Sequence, residues 1–275
     1  MTSSKFERLK NPSAWRRVAV ATWKTPNDPT VYGKLPVEFS KALTFLDEIN
    51  QKSPQKITVT HLVGKALALT LKKFPDLNGI IRWKRIYLRK KVDLFFQVAV
   101  EERGPGEKPE LSGAIVEACE DKSLAEIAAS LKLKSRAIRE AGESHFNATF
   151  SLLRHVPPLI LSWVIRLATF IIYNLGWSSP KLGLPADPFG SAMVTSVGMW
   201  HLPPGFAPLV PVSRVPLIVC VGEVRDKPWV IDGELLVRPI LTMTFTFDHR
   251  FMDGLTGSRM AHYFRDILEN PEKHL

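Results

Sequence analysis

The sequence predicts an α/β fold, and three observations carry that reading. Short runs such as LTMTFTF (241–247) alternate apolar and polar residues with the period of two that puts successive side chains on opposite faces of a sheet. Between such runs lie longer segments with helical spacing, of which VTHLVGKALALTLKKF (59–74) is the clearest. Finally, 45% of the 275 residues are hydrophobic, with seven Trp and fifteen Phe, which is enough to build a sizeable core.

Taken in order, residues 16–26 predict a helix or a strand, 31–40 a strand and 42–51 a helix. In 59–74 the residues Val59, Leu62, Val63, Ala66, Leu67 and Leu71 share a face, Thr58 or Thr60 serves as cap, and Pro75 stops the helix. IYLRKKVDLFFQVAVEE (86–102) reads as one or two strands and RGPGEKPE (103–110) as a loop. A helix follows over 123–141, capped by Asp121 or Ser123. The Gly/Pro-rich stretch from 181 leads into a short strand, AMVTSVG, and HLPPGFAPLVPVSRVP (201–216) is loop again. Strands over 217–224 and 234–247 are joined through the turn VIDGE (230–234). In the second of them Leu241, Met243, Phe245 and Phe247 face one way and three threonines the other. A last helix carries Leu255, Met260, Ala261, Phe264 and Leu268, with Pro271 after it.

Residues 156–177, VPPLILSWVIRLATFIIYNLGW, are the most apolar segment. Their length would suit a membrane span, but Arg166 lies near the middle, at a cost of about 2.5–3.5 kcal/mol on insertion scales, and two prolines stand at the start. The expectation is a buried or subunit-facing helix. Contact with a membrane surface, or with a greasy substrate, is the alternative.

The net charge of +10 favours polyanionic partners such as nucleic acid, anionic lipid or a phosphorylated cofactor. The densest basic run, RWKRIYLRKK (82–91), has the character of a solvated hairpin edge, and no nucleic-acid-binding signature accompanies it. No nucleic-acid partner is therefore expected. Cys119 and Cys220 are the two cysteines; without a CxxC they suggest neither a disulfide framework nor a zinc cluster. MTSSKFERLK has no apolar core of a signal peptide. Together these predict a cytoplasmic protein, membrane-peripheral if 156–177 touches lipid.

The chemistry concentrates in TFTFDHRFMDG (244–254), where an apolar strand runs into His249 between Asp248 and Arg250. A loop leaving a strand end can aim an imidazole into a cleft while the sheet holds it rigid, and imidazole suits general-base work near neutral pH. A single histidine is also often only a packed or surface residue. His262 stands nearby without a third partner, so no metal site is expected.

DHRFMDG fits the HxxxDG pattern of the chloramphenicol acetyltransferase-like superfamily. With DGELLVRP before it and ENPE after it, the run resembles the end of the acyltransferase core of 2-oxoacid dehydrogenase complexes. The resemblance continues upstream in VTHLVGKALALTLKKFPDLN, IYLRKKVDLFFQVAV, DKSLAEIA and VTSVGMW, and spans most of residues 15–275. It implies a chloramphenicol acetyltransferase-like two-layer fold, with a mixed sheet and flanking helices, in one catalytic domain over 1–275 with an atypical apolar segment at 156–177. It further implies transfer of an acyl group between coenzyme A and a dihydrolipoyl thiol or a hydroxyl acceptor. His249 is then the general base and Thr195 the hydroxyl donor to the oxyanion, a bond typically worth about 3–4 kcal/mol. Asp253 pairs with an arginine near the N-terminus to fix the histidine loop; Arg17 is the candidate and Arg16 the alternate. Gly254 supplies a tight turn or a close approach. The active site lies between the subunits of a homotrimer, His249 from one chain and Thr195 from its neighbour.

This sequence departs from the family in four places. No lipoyl or peripheral-subunit-binding domain is recognised, so a lipoyl group is expected only on a separate protein. ELSGAIVEAC (110–119) stands where the family has GLVTPVIRDA, and 156–177 replaces a shorter polar region. The end, EKHL, is not the apolar tail that joins trimers into cages, so a trimer is expected. A non-catalytic trimeric scaffold and a membrane-associated binding protein are the competing readings.

Overall fold

The computed structural model describes residues 13–22, 27–100, 110–141, 157–179 and 185–275. The loop expected over 103–110 lies almost wholly outside the described residues. Six strands form a mixed sheet: β1 (Thr30–Glu38), β4 (Leu94–Val100), β5 (Glu110–Val116), β6 (Ala192–Ser196), β7 (Leu217–Ile231) and β8 (Glu234–Asp248), in the order β1-β8-β7-β6-β4-β5. Pairing is parallel on both sides of β6 and antiparallel elsewhere. β2 (Gly79–Arg82) and β3 (Arg85–Leu88) make a separate hairpin.

Helices α2 (Ser40–Lys52), α3 (Val59–Lys73), α4 (Leu124–Ala141) and α6 (Gly254–Glu269) supply the helical side of the main core. Thr58, not Thr60, caps α3: its backbone N–H donates to His61 Nδ1 at 3.0 Å while the His61 backbone closes onto the Thr58 side chain, a reciprocal capping box. Ser123, not Asp121, caps α4, exchanging hydrogen bonds with Glu126. Lys65, within α3, is buried and donates to the backbone carbonyls of Glu120 at 2.9 Å, Lys122 at 2.6 Å and Cys119 at 3.3 Å, tying the helix to the turn before α4. Residues 14–22 are helical (α1, Ala14–Thr22) and bury nothing.

β8 is the centre of the construction. Leu241 and Met243 are fully buried against the helices, and Phe245 meets Phe264 of α6 edge-on at 5.5 Å. The threonine face is buried as well, because the 201–216 loop crosses it: Thr244 Oγ1 donates to the Gly205 carbonyl at 2.5 Å. β7 and β8 extend further than the sequence predicts and join at Asp232-Gly233, both at positive φ, the two-residue turn that matches strand twist. The stretch 86–102 divides into β3 and β4, which do not pair with each other, because β3 turns back on β2 through Trp83-Lys84, again at positive φ.

Residues 156–177 contain α5 (Pro158–Thr169) followed by a π-turn over Phe170–Leu175. Among the described residues of this stretch only Ile172 and Tyr173 are buried. Ile160, Trp163, Val164, Leu167 and Phe170 are exposed, which corrects the expectation of a helix buried within the chain. Its apolar stripe faces outward because the sheet behind it is already covered by the 207–215 loop, through Phe95, Phe189, Met193, Val215 and Ile218. Among the described residues no helix is long and apolar enough to cross a membrane.

Candidate active site

The turn that carries His249 is fixed from both sides. The Asp248 backbone N–H donates to the Pro216 carbonyl at 2.9 Å, and the His249 N–H to the Pro29 carbonyl at 2.8 Å. The buried Asp248 carboxylate accepts from the Arg250 backbone N–H at 2.9 Å, from Nε at 3.0 Å and from a terminal guanidinium nitrogen at 2.6 Å. This double contact raises the Arg250 guanidinium above its ordinary value, mainly through the Asp248 hydrogen bonds. Phe251 packs against Gly79, where a Cβ would come within 2.8 Å of the ring, so β2 depends on a glycine there. Met252 is buried. His249 itself is exposed. The result is an imidazole on a rigid mount at the open end of a central strand.

Asp253 is the N-cap of α6. Its carboxylate accepts from the Thr256 N–H at 2.8 Å, which holds its pKa below the usual range, with the nearby His249 adding a smaller effect in the same direction. Arg17 lies on the exposed α1, and among the described residues no ion pair joins it to Asp253. Within the chain, the loop is held by Asp248 and Arg250. Gly254 is the first residue of α6; it has no positive φ, and a Cβ there would meet nothing within 4 Å. Within this chain Gly254 makes neither a positive-φ turn nor a close approach, and the Asp253 cap starts the helix.

Thr195 sits half-buried in β6. The registers place it beside Cys220 of β7, which lies opposite Thr244 of β8. Two strand spacings thus separate it from Thr244, about 10 Å, and His249 lies five residues further along, about another 16 Å. β8 runs antiparallel to β6 through β7, so His249 emerges beyond the start of β6, while Thr195 is near its end. One chain does not bring these two groups together.

A cavity of about 490 Å³ lies beside the His249 turn. Asp248, Arg250 and Phe251 form one wall, Trp83 and Lys84 of the hairpin turn another, and Asn174 of the π-turn with the 209–215 loop the rest. Arg214 ties these parts together, donating to Asn174 Oδ1 at 2.6 Å and to the Ile81 carbonyl at 3.3 Å. The Tyr173 hydroxyl donates to the Ser213 carbonyl at 2.9 Å, and burial pushes that phenol up. Nothing in the periodicity of the sequence points to this cavity. The only traces are the basic run from Arg82 and the apolar segment, read separately. Among the described residues no group of three His, Cys, Asp or Glu side chains lies close enough to hold a metal ion.

The model of the family described as 2-oxoacid dehydrogenases acyltransferase (catalytic domain) matches residues 13–145 and 189–275, most of the chain. The chain belongs to this family. His249, Asp253, Thr195 and Arg17 all fall inside the match; residues 146–188, with α5 and the π-turn, fall outside it. The dihydrolipoyllysine-residue acetyltransferase component of the pyruvate dehydrogenase complex of Staphylococcus aureus is 36% identical over 75 residues, which is 27% of this chain and 16% of that relative. The cubic core of a pyruvate dehydrogenase multienzyme complex superposes with a TM-score of 0.65 at 20% identity, covering 98% of this chain and 95% of that one. A chloramphenicol acetyltransferase superposes with a TM-score of 0.52 at 12% identity, over 88% and 89% of the two chains. At these identities the superpositions establish the fold: the two-layer architecture of the family is the one observed.

Proposed function

We propose that this chain is an acyl-CoA-dependent acyltransferase, moving an acyl group between coenzyme A and a thiol, such as a dihydrolipoyl group, or a hydroxyl acceptor. The observation that carries the reading is the family match together with the fixed turn that presents His249 at the end of β8. His249 takes the proton of the acceptor S–H or O–H. The acceptor then attacks the thioester carbonyl, and the carbonyl electron pair moves onto oxygen. The Thr195 hydroxyl donates to that oxyanion. Collapse expels the coenzyme A thiolate, which recovers the proton from His249, so charge and atoms balance. In this reading Asp253 pairs with Arg17, or with its alternate Arg16, to fix the loop, and Gly254 supports that turn. Coenzyme A enters as substrate, and a lipoyl group arrives on a separate protein or domain. Residues 1–275 act as one catalytic domain.

The separation of Thr195 from His249 within the chain supports a homotrimer with the site between subunits. Contact of the exposed 156–177 stretch with a membrane surface belongs to the same reading, as does a cytoplasmic, membrane-peripheral location. The test is acyl transfer followed by mass spectrometry, with acyl-CoAs of several lengths and dihydrolipoamide or simple alcohols as acceptors. His249→Ala and Thr195→Val each abolish transfer. Co-expressing the two variants restores activity at about one quarter of the sites, the statistical share in which an intact His249 faces an intact Thr195. Recovery of none, from mixed trimers shown to form, refutes the shared site.

A further inference from the structure

The cavity beside the His249 turn has a charge imbalance that its own residues do not resolve. Its acidic member, Asp248, is committed to Arg250. Asp187, close by, is committed to Arg89 at 2.5 Å and 3.0 Å. Lys84 and Arg214 line the cavity, and among the described residues no carboxylate pairs with either. Arg82 stands close enough to Arg214 to oppose its charge, and the Arg82 Nε is buried with no hydrogen-bond partner among the described residues. Arg214 is also held at a φ of 51°, a conformation that a non-glycine residue adopts at a cost and that recurs at ligand sites.

Apart from Asn174, the rest of the lining is apolar, with Ile81, Trp83, Leu209, Val210, Pro211 and Phe251 among it. Trp83 belongs both to this lining and to the outer surface, where it meets Phe170 edge-on at 5.6 Å and donates to the Asn174 carbonyl at 3.1 Å. Phe170 continues the exposed stripe of Trp163 and Leu167, at the i, i+4, i+7 spacing of one helix face. An apolar path thus runs from the exposed surface of α5, outside the family match, into the cavity. The volume of about 490 Å³ is that of a small-molecule site.

We propose that this cavity binds an amphiphile with an anionic head, phosphate or carboxylate, held by Lys84 and Arg214, and a single apolar chain laid along Trp83, Leu209 and Val210. Its role there, as acceptor or acyl source for His249, rests on the acyltransferase reading; the binding itself does not.

The experiment is titration calorimetry on the full chain with decyl phosphate, decanoate, decanol and inorganic phosphate, each below any micelle concentration. Decyl phosphate or decanoate binds at least ten-fold tighter than decanol and inorganic phosphate, and the tighter of the two identifies the head group. Lys84→Glu, a change on the exposed hairpin turn, weakens that binding ten-fold or more. Arg214→Gln does the same and Arg214→Lys restores most of it, with circular dichroism confirming the fold. Equal affinity for decanol and decyl phosphate overturns the proposal, as does unchanged affinity in folded Lys84→Glu. Competition by coenzyme A also overturns it, by making the cavity part of the coenzyme path. A chain that transfers acyl groups but binds neither amphiphile overturns this proposal alone; one that binds them but transfers nothing overturns the acyltransferase reading alone.

Discussion

Replacing Asp248 by alanine separates two accounts of what holds the turn that carries His249. The family resemblance assigns that task to Asp253 and an N-terminal arginine, whereas the structure shows Asp248 and Arg250 doing it within the chain. Asp248→Ala removes charge-assisted hydrogen bonds that are typically worth about 1.5–3 kcal/mol each when buried. The Asp248 side chain is 7% exposed but that of Arg250 is 59% exposed, so the released guanidinium is re-solvated and leaves no buried orphan. A net loss of about 1–2 kcal/mol follows, read as a shift of the urea midpoint. The effect on turnover is larger in proportion. A catalytic group displaced by about 1 Å costs on the order of 100-fold, so kcat falls about 10- to 100-fold with KM little changed. Transfer from a short acyl-CoA to dihydrolipoamide, measured at saturation, provides the assay. Arg250→Ala gives a similar loss, and the double variant adds little to either. A folded Asp248→Ala protein whose kcat stays within two-fold of the parent refutes the argument. So does an Arg17→Ala variant that loses far more than Arg250→Ala, since the pair with Asp253 would then be what holds the turn.

Other consequences concern the scaffold. Burial lowers His61 from 6.5 to about 4, so between these values the unfolded chain binds a proton that the folded chain refuses. Stability therefore falls as pH drops from about 6.5 to about 4, by at most about 3 kcal/mol; His61→Gln, which can still close the capping box, flattens urea stability over that window, and an unchanged slope counts against the assignment. Lys65→Met leaves three carbonyls, two of them buried, without their donor and lowers stability by about 2–4 kcal/mol in urea melts, with a loss under 1 kcal/mol contradicting the role given to that amine. Burial pushes Cys119 up to about 12, and Cys220 upward as well. Neither thiol is alkylated by iodoacetamide at pH 8 until the protein is unfolded; rapid labelling of the native chain contradicts their burial.

The elements that depend on local pattern were legible in the sequence. The β8 alternation, the α3 periodicity with a threonine cap at Thr58 or Thr60, and the turn over 230–234 each follow from residues adjacent in the chain. What was not legible depends on contacts distant in sequence. The 86–102 stretch splits because its halves join different sheets, a choice made by β2 and β6. Gly254 resembles a conformational glycine, yet Asp253 completes the cap by itself. Of the site, His249 could be singled out from DHRFMDG. The Asp248–Arg250 clamp was written in the same seven residues but is invisible until the turn brings a carboxylate and a guanidinium two positions apart into register. The cavity needed four segments to converge, and no periodicity records that.

The placement of α5 and the π-turn, which lie outside the family match, keeps the cavity wall apart from the turn that holds His249. The connection between α4 and β6 enters the sheet at the end where His249 emerges, because β6 starts beside the finish of β8 across β7. Lengthening a surface connection costs little, since closure entropy grows only with the logarithm of its length. α5 and the π-turn rest on the body through Ile172, Tyr173 and the Arg214 bonds, and among the described residues no hydrogen bond that fixes the His249 turn involves them. The mount and the cavity wall are therefore mechanically separable. Variation in 157–177 is free to alter what lies beside the imidazole, while Pro29, Asp248, Arg250 and Pro216 keep the imidazole where it is.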